Sequence, residues 1–175
     1  ITAPENVAWL LNIRGFDNPN SPIPNCHLLI DKKNNPYLIC EKKKAKKIIL
    51  EKKIRKKQVI EFKNFEKLIE DLKGNKIIID YKTCSLFFEN ILKKKFKILK
   101  KEDPIYLFKS IKSNKEIKNM ISSHIIDGAA LTKFLYWMKI KNRKKITEYE
   151  AQKKLEYFRK KNKKYLYPSF NTIAG

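Results

Sequence analysis

The chain has 175 residues and is 42% hydrophobic, enough to bury a real core, so a disordered tail is excluded. Lys and Arg number 41 against 18 Asp and Glu, a formal net charge of +23 that points first to a polyanionic partner. Yet only Arg14, Arg55, Arg143 and Arg159 carry a guanidinium, whereas phosphate and base recognition favours Arg for its bidentate fork, so nucleic-acid binding is not the expected primary role.

Residues 1–15 open with Pro4 at a helix start and continue through Val7, Ala8, Leu10 and Leu11, an apolar face on which Trp9 is the expected anchor. Residues 16–25 hold Pro19, Pro22 and Pro24 among Asn, Ser and Asp and read as an ordered loop. The apolar runs 26–30 and 36–40 flank Asp31-Lys-Lys-Asn-Asn35, a turn-forming connection, and predict a hairpin. Helix and strand patterns then alternate: 44–53 helical, 58–62 extended, 64–73 helical, 76–80 extended, 85–94 helical and 96–99 extended. In 64–73, Phe65, Leu68, Ile69 and Leu72 follow the helical spacing behind Asn64 as cap and before Gly74. Ile77–Ile79 lacks alternation, which predicts a strand covered on both faces.

Beyond Pro104 the pattern turns helical. Ser113-Asn-Lys-Glu116 is a capping box, and Ile117, Met120, Ile121, His124, Gly128, Leu131, Leu135 and Met138 carry one apolar stripe through a long helix. Thr147-Glu-Tyr-Glu150 is a second capping box, ahead of Ala151, Leu155 and Phe158. Residues 168–174 read as an extended segment entering a sheet whose other strands are not in hand. The lysine runs at 42–47, 93–101, 143–145 and 159–164 lie on or beside helices with an apolar opposite face and read as solvated surfaces.

Chemistry-bearing constellations are sparse. Gly15, Gly74, Gly128 and Gly175 are too far apart for a phosphate-cradling loop. Cys26, Cys40 and Cys84 form no C-x-x-C pair, which argues against a disulfide framework or structural zinc and for a reducing, cytoplasmic setting. No apolar run approaches the roughly 20 residues of a membrane span, and no signal pattern opens the chain. His27, inside an apolar strand pattern, reads as a packed or surface histidine. His124 and Asp127 share a helix face and have metal-ligand spacing, but a stripe histidine more often serves an interface. Gly128-Ala-Ala130 beside it reads as a close-packing surface.

Four stretches together resemble the Xaa-Pro aminopeptidases of the creatinase/prolidase-like, pita-bread metallopeptidase class. They are Val7-Ala-Trp-Leu-Leu-Asn-Ile-Arg-Gly15; Lys115–Met120 with His124-Ile-Ile-Asp-Gly-Ala-Ala-Leu131 and Phe134–Met138; Ile146-Thr-Glu148 with Leu155-Glu-Tyr-Phe-Arg159; and Tyr167-Pro-Ser-Phe-Asn-Thr-Ile-Ala-Gly175. Between about 31 and 103 the similarity is one of pattern. The resemblance implies an α/β fold: a creatinase/prolidase N-terminal-like second domain over 1–112, with a mixed sheet flanked by helices. Residues 113–175 would supply the first helices and strand of an incomplete pita-bread catalytic domain.

The same resemblance implies release of the N-terminal residue from peptides with proline in second position. An Xaa-Pro bond lacks the N–H and free φ that a general peptidase groove uses, so it calls for a specialised enzyme. The family works with two divalent metal ions, usually manganese, held by Asp, Asp, His, Glu and Glu. Those positions are expected beyond this stretch, so no catalytic or metal-ligating residue carries over and the segment is expected to be inactive alone, a scaffold and cleft wall. Arg14, Phe16 and Asp17, at the turn after the first helix, are the candidate substrate-binding residues; an interdomain salt bridge with an aromatic anchor is the plainer account of the three. No membrane partner is implied, and a homodimer of the full-length protein is compatible. The alternatives from other classes are a basic α/β module binding nucleic acid, or a non-enzymatic protein-interaction module.

Overall fold

The computed structural model describes residues 1–141 and 145–173, so Arg143 and Lys144 of one lysine-rich run, and Ala174 and Gly175 of the last extended segment, lie outside it. Two compact units result, Ile1–Ser110 and Ile111–Gly175.

In the first unit, helix α1 (Pro4–Leu10) begins with proline in its first turn, where a missing N–H costs nothing. It turns Asn6, Val7 and Ala8 inward and leaves Trp9 37% exposed. The anchor of this short helix is therefore Val7 with Asn6. Strands β1 (His27–Ile30) and β2 (Pro36–Ile39) form the expected antiparallel hairpin. Its turn is tied by the Asp31 carboxylate, which accepts from the Lys33 N–H (2.8 Å), the Asn35 N–H (2.8 Å) and Asn35 Nδ2 (2.9 Å), while Asn34 takes a left-handed φ of 60°.

β2 pairs in parallel with β3 (Val59–Ile60), giving a mixed sheet in the order β1-β2-β3. A second, two-stranded parallel sheet joins β4 (Lys76–Asp80) to β5 (Lys97–Lys101). The helices are α2 (Lys46–Leu50), α3 (Phe65–Asp71), α4 (Leu86–Lys93) and α5 (Ile105–Ser110). Period-two alternation makes β2 the hub of two cores. Leu38 packs with Val7, Ile13, Leu28, Ile54 and Val59. Ile39, on the opposite face, packs with Phe65, Ile69, Ile79, Phe88 and Leu92.

Three local expectations change. The helix expected over 44–53 is five residues long and ends before Lys52, which adopts a left-handed φ of 58°. Asn64 makes no side-chain cap: a 3-10 turn (Phe62–Asn64) leads into α3 and sets Asn64 at φ −102°, ψ 6°, outside the extended region a capping residue takes. Ile78 is 59% exposed: α3 and α4 contribute to the core on the Ile79 side only, so β4 is covered on one face.

A polar clasp holds α5 to α1. Asn6 Nδ2 donates to Asp103 Oδ2 at 2.8 Å, and Lys109 Nζ donates to Asn6 Oδ1 at 2.7 Å. Asp103 Oδ1 accepts the Ile105 N–H at 3.0 Å, and the Tyr106 hydroxyl reaches Glu5 at 3.2 Å. Asn6 is fully enclosed, and each of its side-chain polar atoms has a partner.

In the second unit, α6 (Asn114–Ile140) and α7 (Glu148–Lys160) pack on each other, and both predicted capping boxes are made. The Ser113 hydroxyl accepts the Glu116 N–H and the Glu116 carboxylate accepts the Ser113 N–H; Thr147 and Glu150 repeat the arrangement. The expected stripe of α6 is not its buried face: Ile117, Met120, Ile121, Leu131 and Leu135 are exposed, and Ala130 is the buried residue. A Cβ added at Gly128 would meet nothing within 4 Å, so among the described residues no element packs closely there. Residues 165–173 form no strand, since a strand needs a ladder partner and none of the described residues offers one.

Candidate functional site

The loop after α1 holds all three candidate substrate-binding residues, and its shape is set by close packing. A Cβ on Gly15 would lie 2.6 Å from Pro24 Cβ and 2.7 Å from Pro24 Cα, so only glycine fits. The Gly15 N–H donates to Pro22 O at 3.0 Å. Arg14 is exposed and donates to the adjacent Ile13 carbonyl at 2.8 Å. Phe16 is 84% exposed. Asp17 points inward instead, accepting from the Asn25 N–H at 2.7 Å and from Lys44 Nζ at 2.6 Å. The Lys44 bond, then the Asn25 bond, hold its carboxyl below the usual range. The three therefore share a loop without converging on one cavity. Asp17 makes its ion pair with Lys44 within its own unit.

Beside that ion pair lies a cavity of about 330 Å³ lined by Asn25, Cys26, His27, Glu41, Lys44 and Phe62. β1 positions His27, whose Nδ1 donates to Thr2 O at 2.8 Å, in T-shaped contact with Phe88 and Phe62, their ring centroids 4.7 Å and 5.8 Å away. Burial lowers its pKa, partly offset by the Thr2 bond, so the ring is neutral at pH 7. Cys26 is pushed up to about 12 by burial. A thiol in that state holds little of the nucleophilic thiolate at neutral pH. Sequence reasoning placed His27 in an apolar strand pattern as a packed or surface histidine but missed this cavity, because residues 25–27, Glu41 with Lys44, and Phe62 reach it from three separate segments.

A cavity of about 630 Å³ lies between α6 and α7, lined among others by Ser122, Ser123, Ile126, Asp127, Phe158 and Arg159. Asp127, the sequence candidate for metal ligation, is taken by a bidentate pair with Arg159: Nε to Oδ1 at 2.6 Å and Nη2 to Oδ2 at 3.0 Å. His124 is exposed one turn away. Among the described residues no group of three or more His, Cys, Asp or Glu side chains is placed to hold a metal ion. The donor set that a pair of divalent metals needs is thus not assembled by these residues, and no step through a metal is assigned to them. No helix among them is long and apolar enough to cross a membrane.

Comparison with known proteins decides the family. The model of the creatinase/prolidase N-terminal domain matches residues 1–116. The chain belongs to this family. Relatives of this creatinase/prolidase chain include Xaa-Pro aminopeptidase 1 of Dictyostelium discoideum, 30% identical over 181 residues that take in 100% of the chain and 28% of the relative. A probable Xaa-Pro aminopeptidase P of Paracoccidioides lutzii is 30% identical over 191 residues, 98% of the chain and 30% of that protein. A probable Xaa-Pro aminopeptidase P of Paracoccidioides brasiliensis is 40% identical over 82 residues, 45% of the chain and 13% of that protein. The chain spans less than a third of the length of these relatives.

Proposed function

We propose that the chain is the supporting part of a cytoplasmic, metal-dependent Xaa-Pro aminopeptidase that releases the first residue from peptides with proline in second position. One observation carries this reading: the whole chain aligns with a stretch of an Xaa-Pro aminopeptidase that is 28% of its length. In this reading residues 1–112 are the second domain and residues 113–175 open the pita-bread catalytic domain. The two divalent metals, manganese first among them, are in this reading held by residues outside these 175. The role of the chain is then to brace the catalytic domain and wall the substrate cleft, with the exposed Arg14 and Phe16 as the side chains available to a peptide.

The test is calorimetric titration of manganese into residues 1–175, with an Arg-Pro-Pro peptide assayed alongside. No stoichiometric binding and no cleavage are expected of the chain alone, and proline-dependent cleavage is expected of the protein encoded by the complete gene. A tight metal site within residues 1–175, or a complete gene product without closely spaced metal-binding aspartates, overturns the reading.

A further inference from the structure

The hairpin register pairs His27 with Ile39 and Leu28 with Leu38, which sets Cys26 across from Cys40 one step beyond the ladder. Opposed residues in an antiparallel ladder alternate between hydrogen-bonded and non-hydrogen-bonded pairs, and the second kind holds Cα atoms about 4.5 Å apart with side chains closer. Three backbone bonds decide which kind the cysteines are. The Asp31 N–H donates across the hairpin to Asn35 O at 3.1 Å, so that pair is of the bonded kind. The Leu28 N–H donates away from β2, to Ile1 O at 2.9 Å, and the Cys40 N–H donates away from β1, to Ile60 O at 3.0 Å. Pro36, which has no N–H to give, stands opposite Ile30. Alternation then places Ile30/Pro36, Leu28/Leu38 and Cys26/Cys40 together as non-bonded pairs.

The ladder's non-bonded spacing, carried one step on to Cys26 and Cys40, falls inside the roughly 4.4–6.8 Å that a disulfide bridges. Both thiols are free and lie in the core cluster that also holds Leu28 and Leu38, so they stand on the same side of the hairpin. Cys26 also lines the cavity of about 330 Å³, which gives a small oxidant a way in.

We propose that Cys26 and Cys40 form a redox site, a cross-strand dithiol that closes to a disulfide with a peroxide and reopens with a thiol reductant. Closure ties the loop carrying Arg14, Phe16 and Asp17 to the lysine-rich segment that starts at Glu41. The chemistry balances with hydrogen peroxide as the two-electron oxidant. Cys26 Sγ attacks one peroxide oxygen, the O–O bond breaks, one water leaves and Cys26 becomes a sulfenic acid. Cys40 Sγ then displaces that hydroxyl, its proton leaves with the second water, and the S–S bond forms. In all, both sulfurs are oxidised and both peroxide oxygens are reduced. Burial raises the Cys26 thiol to about 12 and the Cys40 thiol to about 11, so the thiolate is scarce at neutral pH. The closure rate therefore climbs about tenfold per pH unit between neutrality and pH ~9.

The test starts from the fully reduced chain, exposed to hydrogen peroxide, quenched, unfolded, alkylated and weighed intact. The expected product is a monomer lighter by two hydrogens, with Cys84 as its one alkylated thiol, a proteolytic peptide linking Cys26 to Cys40, and full reversal by dithiothreitol. The ring spans 15 residues, which shifts the folding equilibrium about a hundredfold toward the native state in urea titration. In Cys40→Ala, closure and the urea shift both vanish while Cys26 stays alkylatable or stops at the sulfenic acid. Any of three results overturns the proposal: three alkylatable thiols after peroxide at pH ~9, a bridge from either residue to Cys84, or an oxidised form less stable than the reduced one.

Discussion

Replacing Asn6 with alanine tests the clasp between α1 and α5 most directly. Its side chain is fully enclosed, and it joins the Asp103 carboxylate (2.8 Å) and the Lys109 ammonium (2.7 Å). A hydrogen bond to a charged group contributes roughly 1.5–3 kcal/mol. The Asp103 bond counts near the middle of that range, because both ends are buried and Oδ2 is left without that donor. The Lys109 bond counts at the low end, because its ammonium keeps the Tyr106 ring at 4.8 Å. The sum is about 4 kcal/mol, several hundredfold in the unfolding constant. Urea unfolding followed by far-UV circular dichroism measures it, with the transition of residues 1–110 fitted separately because two units break two-state analysis. A double-mutant cycle with Asp103→Ala should return a coupling above about 1 kcal/mol. A loss below about 1 kcal/mol for Asn6→Ala, or strictly additive losses, refutes the clasp as a cooperative unit.

Gly15→Ala should destabilise the first unit by about 1–3 kcal/mol, since its Cβ must displace the Pro24 backbone; a melting temperature equal to that of the parent argues against the close contact. The Glu116 and Glu150 carboxyls are held below their ordinary 4.5 by hydrogen bonds from Ser113 and Thr147. Depressed carboxyls stabilise above the unfolded pKa and lose that contribution as pH falls through the folded one. The first turns of α6 and α7 should accordingly fray below pH 4.5, with amide exchange at Ile117 and Ala151 rising there and Glu116→Gln and Glu150→Gln flattening the change. Asp127→Ala should loosen α6 from α7 by about 0.5–1 kcal/mol, the modest value of a half-exposed pair; an unchanged urea midpoint assigns the pair no role.

Much of this fold was readable wherever the chain settles its own conformation within a few residues. Ser85, Ser113 and Thr147 cap helices through N–H groups three positions away, and Asp31 ties a turn whose strands it immediately joins. What sequence could not supply is set by distant partners. Asn6 looks like a surface residue of an apolar helix until Asp103, 97 positions on, is beside it. Ile77–Ile79 has the pattern of a doubly covered strand, yet coverage depends on where α3 and α4 land. Asn64 has the right type for a cap, but the preceding turn had already placed its backbone. Likewise, the spacing of His124 and Asp127 allowed a metal, and only the arrival of Arg159 from α7 shows the carboxylate engaged.

The apolar row along α6 has a practical consequence. The helix is 27 residues long, so side chains such as Ile117, Ile121 and Leu135 meet water along much of a rod about 40 Å in length. Naphthalene-sulfonate dyes adhere to such surfaces, and their brightening is ordinarily taken as a sign of a loosened interior. In this chain the dye will fluoresce on a fully formed helix, so near-ultraviolet dichroism is the sounder gauge of whether a preparation is intact.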